Sequence, residues 1–144
     1  MLTFHSLIND YKINVFNIAW LSKETIDMFQ SDFKFVANYF RAKRLNKDYI
    51  PSSEELKHSN ELMKMFTALT GDKSFETAYN KVILEKKGGI TMCDVVERIE
   101  NRGKAEVIRK MLDAKIVTEQ QIADLLKISV KEVKKIAAKV PVQA

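Results

Sequence analysis

One cysteine, two prolines, four glycines and two histidines in 144 residues are small numbers, and each excludes something. The single thiol, Cys93, cannot close an internal disulfide, so no disulfide framework holds this fold. It stands next to Met92 at an expected helix start, where a buried, inert thiol is the simplest reading. His5 and His58 lie far apart, and neither has a Cys or His at ligand spacing. His58, between Lys57 and Ser59, reads as a surface residue. The scattered glycines form no phosphate-cradling loop, and no nucleophile elbow occurs. No apolar run approaches the roughly 18 residues that a membrane helix needs, and no signal peptide is recognised. The expectation is a soluble, cytoplasmic protein with no membrane span, no cofactor, no metal and no catalytic site.

Two acid-x-Lys triplets bear on that expectation: Glu85-Lys86-Lys87 and Glu132-Val133-Lys134. Metal nucleases need such groups on a strand beside another acid, where they hold a divalent ion and activate water. Both triplets fall in helical pattern, so chance is the better account.

What is present is charge, unevenly placed. The formal net charge is +5. From Lys104 onward there are nine basic and five acidic residues, while Met1 to Gly103 is close to balance. A basic tail on a neutral body suits a polyanionic partner.

The most informative stretch lies in that tail. Thr118-Glu119-Gln120-Gln121 forms a capping box, and Ser129-Val130-Lys131-Glu132 forms another. Ile122, Leu125 and Leu126 give the first short helix an apolar stripe. Val133, Ile136, Ala137 and Val140 do the same for the second, with Lys131, Lys134, Lys135 and Lys139 on the opposite arc. Pro141 stops the second helix. The pattern is that of a helix-turn-helix: Ala123 is small where the helices pack closest, Ile128 is the apolar turn residue, and Val133 and Ile136 are buried β-branched positions. One residue departs from it. The position before Ile128 favours glycine, because the turn needs a left-handed backbone, and here it is Lys127. Two readings stand at this point. In one, Ser129, Lys131, Lys134, Lys135 and Lys139 contact DNA, mostly at phosphates, since the second helix offers no Arg, Asn or Gln for bidentate base contacts. In the other, the pair is a plain helical hairpin with a solvated lysine face.

Upstream, Tyr11 to Phe16 alternates polar and apolar residues as a strand does, yet no second strong strand follows to pair with it. Ser22 caps a helical stretch carrying Ile26, Phe29, Phe33, Val36, Ala37 and Phe40. The basic cluster Arg41, Lys43, Arg44 and Lys47 suits a helix C-terminus or a phosphate. Pro51-Ser52-Ser53 is expected to start a helix with Leu56, Leu62, Met63, Phe66 and Leu69 inward, ended by Gly71. Ser74 opens another, closed by Gly88-Gly89. Thr91 to Lys115 is a long helical stretch, with a kink or hinge expected at Asn101 to Lys104 around Gly103.

Ile8-Asn9-Asp10-Tyr11-Lys12-Ile13-Asn14-Val15, the helical run from Leu21 to Phe40, and Met92 to Gly103 together resemble the region after the nuclease core in PD-(D/E)XK nuclease-family transposases, the recombination-promoting nuclease group. Such proteins often end in a paired-helix segment similar to Val117 to Ile136. The resemblance implies that Tyr11 to Phe16 is a remnant core strand and that the family's catalytic Asp and Glu-x-Gln/Lys strands would lie before Met1. No catalytic residue carries over.

The resulting expectation is a mainly α fold: a short N-terminal β segment, a helical bundle and a C-terminal helix-turn-helix-like hairpin. The divisions are 1–20 for the remnant strand, 21–90 for the helical body, 91–116 for a linking helix and 117–144 for the hairpin. The expected function is that of a non-catalytic C-terminal fragment or accessory piece of a nuclease-family transposase, with DNA contact through the basic helix. The alternative is a protein-interaction module that docks on a separate nuclease core through the strand Tyr11 to Phe16.

Overall fold

A computed structural model describes residues 15–138 of the chain. Residues 11–14 of the expected strand lie outside the described residues, as do Lys139, Val140 and Pro141. The described residues are mainly helical and contain no strand.

A short 3-10 helix, Ile18–Trp20, is followed by α1 (Lys23–Asp27) and α2 (Phe33–Arg44). Ser22 caps α1 as expected, its hydroxyl accepting the Thr25 N–H at 3.1 Å. The expected single stretch is broken between the two helices, and α2 buries Phe35, Val36 and Ala37. Its basic C-terminal turn is partly absorbed by packing. The Arg44 guanidinium lies 4.4 Å from the Trp20 ring and donates to the Ala19 carbonyl at 2.7 Å, which straps the 3-10 helix to α2. Lys43 sits over the Tyr39 ring at 5.5 Å.

The next helix does not begin at Pro51-Ser52-Ser53. α3 spans Ser59–Thr70, and the preceding segment is irregular, with a single bridge residue at Glu55. Backbone pairing with the loop before α5 explains this. Leu56 donates to Ile90 at 2.8 Å, Cys93 donates to Ser52 at 3.2 Å, and Glu55 and Thr91 form an antiparallel bridge. These tertiary hydrogen bonds outweigh a local helix-start signal. Leu56 is still buried, as the apolar pattern requires. Asp32 is buried too and accepts the His58 N–H at 2.7 Å, and exposed His58 forms the N-cap of α3.

Gly71 ends α3 in the left-handed region at φ 73°. α4 (Ser74–Glu85) turns back along α3, and α5 (Met92–Asp113) then starts at a complete capping box between Thr91 and Asp94. Burial pushes the Asp94 carboxyl up, but hydrogen bonds from Lys86 and Thr91 outweigh it and hold the group below the usual aspartate range. Both acid-x-Lys triplets lie at or within helices, not on strands. Glu85 pairs with Arg98 at 2.5 Å and Lys86 with Asp94 at 2.6 Å, while Val133 is buried between Glu132 and Lys134.

The body's core gathers Phe35, Val36, Leu56, Leu62, Met63, Phe66, Phe75, Met92 and Val95. Phe66 and Phe75 stack at 4.6 Å, and Tyr39 meets Phe66, Phe75 and Tyr49 edge-on at 5.3 to 5.8 Å. Burial among these groups raises the Tyr49 phenol above its ordinary value.

A second core joins the far half of α5 to α6 (Glu119–Leu126) and α7 (Val130–Ala138), through Ile108, Ile122, Ala123 and Val133. α5 therefore serves both cores. Its helical hydrogen bonding runs from Met92 to Asp113, through the expected kink or hinge segment Asn101 to Lys104.

Candidate nucleic-acid interface

The hairpin is built from short-range chemistry. The Thr118 hydroxyl accepts the Gln121 N–H at 3.2 Å, and Gln121 Oε1 accepts the Thr118 N–H at 2.8 Å, so both halves of the capping box are made. Ala123 is buried where α6 meets its neighbours, and its carbonyl accepts the Ile128 N–H at 3.0 Å across the turn. Lys127 takes the left-handed conformation that the turn requires, at φ 55° and ψ 41°. The Cβ clash there costs a non-glycine residue roughly 1–2 kcal/mol. The departure from the glycine pattern is accommodated as backbone strain and leaves the turn unchanged. Ser129 then caps α7, accepting the Glu132 N–H at 3.2 Å.

α7 is two-faced. Val133 is fully buried, and Val130, Ile136 and Ala137 pack beside it. Lys131, Lys134 and Lys135 are exposed on the other side. The structure thus places three of the five expected contact residues on one solvent face. Ser129 stands at that helix's start with its hydroxyl engaged as a cap. Lys139 lies outside the described residues. A helix such as α7 is roughly 10–12 Å across with its side chains, which a major groove roughly 12 Å wide admits.

Two features of the hairpin were not anticipated. Lys134 reaches across to Glu119 in the first turn of α6, with Nζ and Oε2 3.3 Å apart. Both side chains are well exposed, so the pair is worth at most about 1 kcal/mol and competes only weakly with another anion. No local spacing announces it, because the partners sit on different helices. Secondly, Leu125 and Leu126 do not join the hairpin core. Ile122 and Ala123 form the inward face of α6, and the two leucines are exposed.

The arrangement offers three exposed cations, one of them paired with Glu119, and no planar hydrogen-bonding side chain on the exposed face of α7. Lysine ammonium groups act as point charges toward phosphate, whereas bidentate base recognition calls for Arg, Asn or Gln. No protein-family model, curated protein or solved structure matches the chain. Among the described residues no helix is long and apolar enough to cross a membrane.

Proposed function

We propose that this chain is a non-catalytic, DNA-contacting accessory piece of a nuclease-family transposase, gripping duplex DNA through the lysine face of α7. One observation carries the DNA contact: Lys131, Lys134 and Lys135 share the exposed face of the second helix in a helix-turn-helix-like hairpin. The likeness of Ile8 to Val15, Leu21 to Phe40 and Met92 to Gly103 to that transposase group supports the wider role.

Binding of this kind is electrostatic. Three neutralised phosphates give a slope of log K against log salt of about −2.7, or roughly a fortyfold loss of affinity between 50 and 200 mM salt. Fluorescence anisotropy with a labelled 20-base-pair duplex tests this. The charge reversal Lys131→Glu, Lys134→Glu, Lys135→Glu abolishes retention at 50 mM salt, and duplexes of scrambled sequence bind alike. Undiminished binding by the triple variant sinks the proposal.

A second reading has its own observation. Val15 and Phe16 are 86% and 76% exposed, which is a heavy load of bare apolar surface for neighbouring residues. A strand spanning Tyr11 to Phe16 that added to a partner's sheet would cover them. Charge reversal on α7 would leave that docking intact, whereas Phe16→Asp would weaken it.

A further inference from the structure

The fold splits the basic cluster at the end of α2. Lys43 and Arg44 lie against the Tyr39 and Trp20 rings. Arg41 and Lys47 instead line a cleft of about 430 Å³ between α1, α2 and the segment 47–54. One stripe of α2 forms a wall of it. Lys34, Asn38, Arg41 and Leu45 follow one another at steps of four, three and four residues, which stacks them along one side of the helix.

Three observations specify what fits. The first is Arg41. Among the described residues its half-buried side chain makes no hydrogen bond or ion pair. Its Nε is shut off from solvent without an acceptor, so the guanidinium is partly desolvated, while its terminal nitrogens stay accessible. A partly desolvated charge attracts an anion more strongly than a solvated one does. The second is the charge balance. Lys23 pairs with Asp27, and Lys34 pairs with Glu54 at 2.6 Å, which leaves Arg41 and Lys47 against Asp48 in the lining. Glu24 acts on Arg41 from outside the lining, but it is fully solvated and its pull is screened. One negative charge therefore balances the cleft. A polyanion would set its further charges against Asp27, Asp48 and Glu54, and like charges brought together oppose binding. The third is apolar surface. Phe35, Tyr49 and Ile50 share the lining, and Ile50 is 86% exposed. Apolar walls with a few polar anchors are the make-up of a small-molecule site.

We propose that this cleft binds a small organic monocarboxylate, with the carboxylate on the terminal N–H groups of Arg41 and a ring or aliphatic tail against Tyr49 and Ile50. A guanidinium presents paired donors in a planar fork that matches the two carboxylate oxygens. Lys47, exposed at the cleft, adds a point charge, and Asn38 adds a neutral donor.

The test is an NMR titration of the full chain with three probes that share a phenyl tail and differ in the head group. They are 3-phenylpropionate, the neutral 3-phenylpropanol, and 2-phenylethylphosphonate, a dianion in mildly alkaline buffer. Ligands this small bind at millimolar concentration, which the titration reads directly. The carboxylate binds roughly tenfold tighter than the alcohol, as a charge-assisted contact implies, and tighter than the phosphonate. Its amide shift changes fall on residues 34–54 and spare α6 and α7. Arg41→Gln lowers the affinity for the carboxylate to that for the alcohol, and Lys47→Gln, at an exposed position, weakens it less. Circular dichroism checks that both variants fold, and the comparison of probes on the parent chain needs no variant. Equal binding of acid and alcohol, tighter binding of the phosphonate, no binding, or shift changes elsewhere overturns the proposal. So does a folded Arg41→Gln variant that keeps the preference for the acid. DNA retention by α7 does not depend on these probes, so this proposal and the DNA reading fail separately.

Discussion

Replacing Lys127 by glycine relieves the strained backbone position in the turn between α6 and α7. At φ 55° and ψ 41° the lysine Cβ crowds the following carbonyl. That clash is worth roughly 1–2 kcal/mol. Glycine adopts the conformation freely but gives the unfolded chain more freedom to lose, an opposing effect of roughly 0.4–1 kcal/mol. The net expectation is a gain of about 0.5–1 kcal/mol, or a rise of about 2–4 °C in Tm for a chain of this size. Lys127→Ala separates strain from charge. It removes the ammonium but keeps the Cβ, so stability stays within about 0.5 kcal/mol of the parent, as for other exposed sites. Urea melts of the two variants, with amide exchange at Ile122 and Val133 as a local reading, make the comparison. If alanine stabilises as much as glycine, the gain comes from lost charge and the strain argument fails. If glycine destabilises, the turn does not hold the backbone in the left-handed region.

Two other outcomes follow from the packing and the caps. Ile122→Ala removes a fully packed side chain from the small core that holds the hairpin, at a cost of about 2–5 kcal/mol. Hydrogen exchange should then speed up in α6 and α7 while α3 and α4 keep their protection, whereas uniform loosening would show the two cores to be one cooperative unit. Asp94 gives a pH dependence of definite sign. Its folded-state carboxyl lies below the ordinary value of 3.8, so its stabilising contribution is complete above that pH and is lost as pH falls through the lowered folded value. Asp94→Asn flattens this acid limb in melts between pH 5 and pH 2, and an unchanged limb refutes the assignment.

Some of this architecture is legible in single residues. Ser22, Thr91 and Thr118 each cap through a partner three positions on, so nearby sequence suffices to place three helix starts. The lysine face of α7 is equally local, since a buried Val133 forces Lys131, Lys134 and Lys135 outward. What could not be read is set by distant groups. Pro51-Ser52-Ser53 has the chemistry of a helix start, but its neighbourhood is captured by Ile90 and Cys93, some forty residues away. Leu125 and Leu126 fit an inward stripe by spacing. Only the positions of α5 and α7 determine that the inward face is Ile122 and Ala123. Glu119 meets Lys134 for the same reason, through a turn whose geometry brings two helices together.

The unbroken α5 acts as a shaft with a pitch. Its 22 residues rise roughly 33 Å at about 1.5 Å each, with the body's core near one end and the hairpin's core near the other. Inserting one residue between Ile99 and Ala105 would advance the hairpin by about 1.5 Å and rotate it by about 100° about the helix axis. Inserting roughly seven would nearly restore its azimuth while moving it two turns further out. The direction in which α7 presents its lysines, relative to the body, is therefore a periodic function of helix length. Any partner that touches body and hairpin together measures an angle as well as a distance.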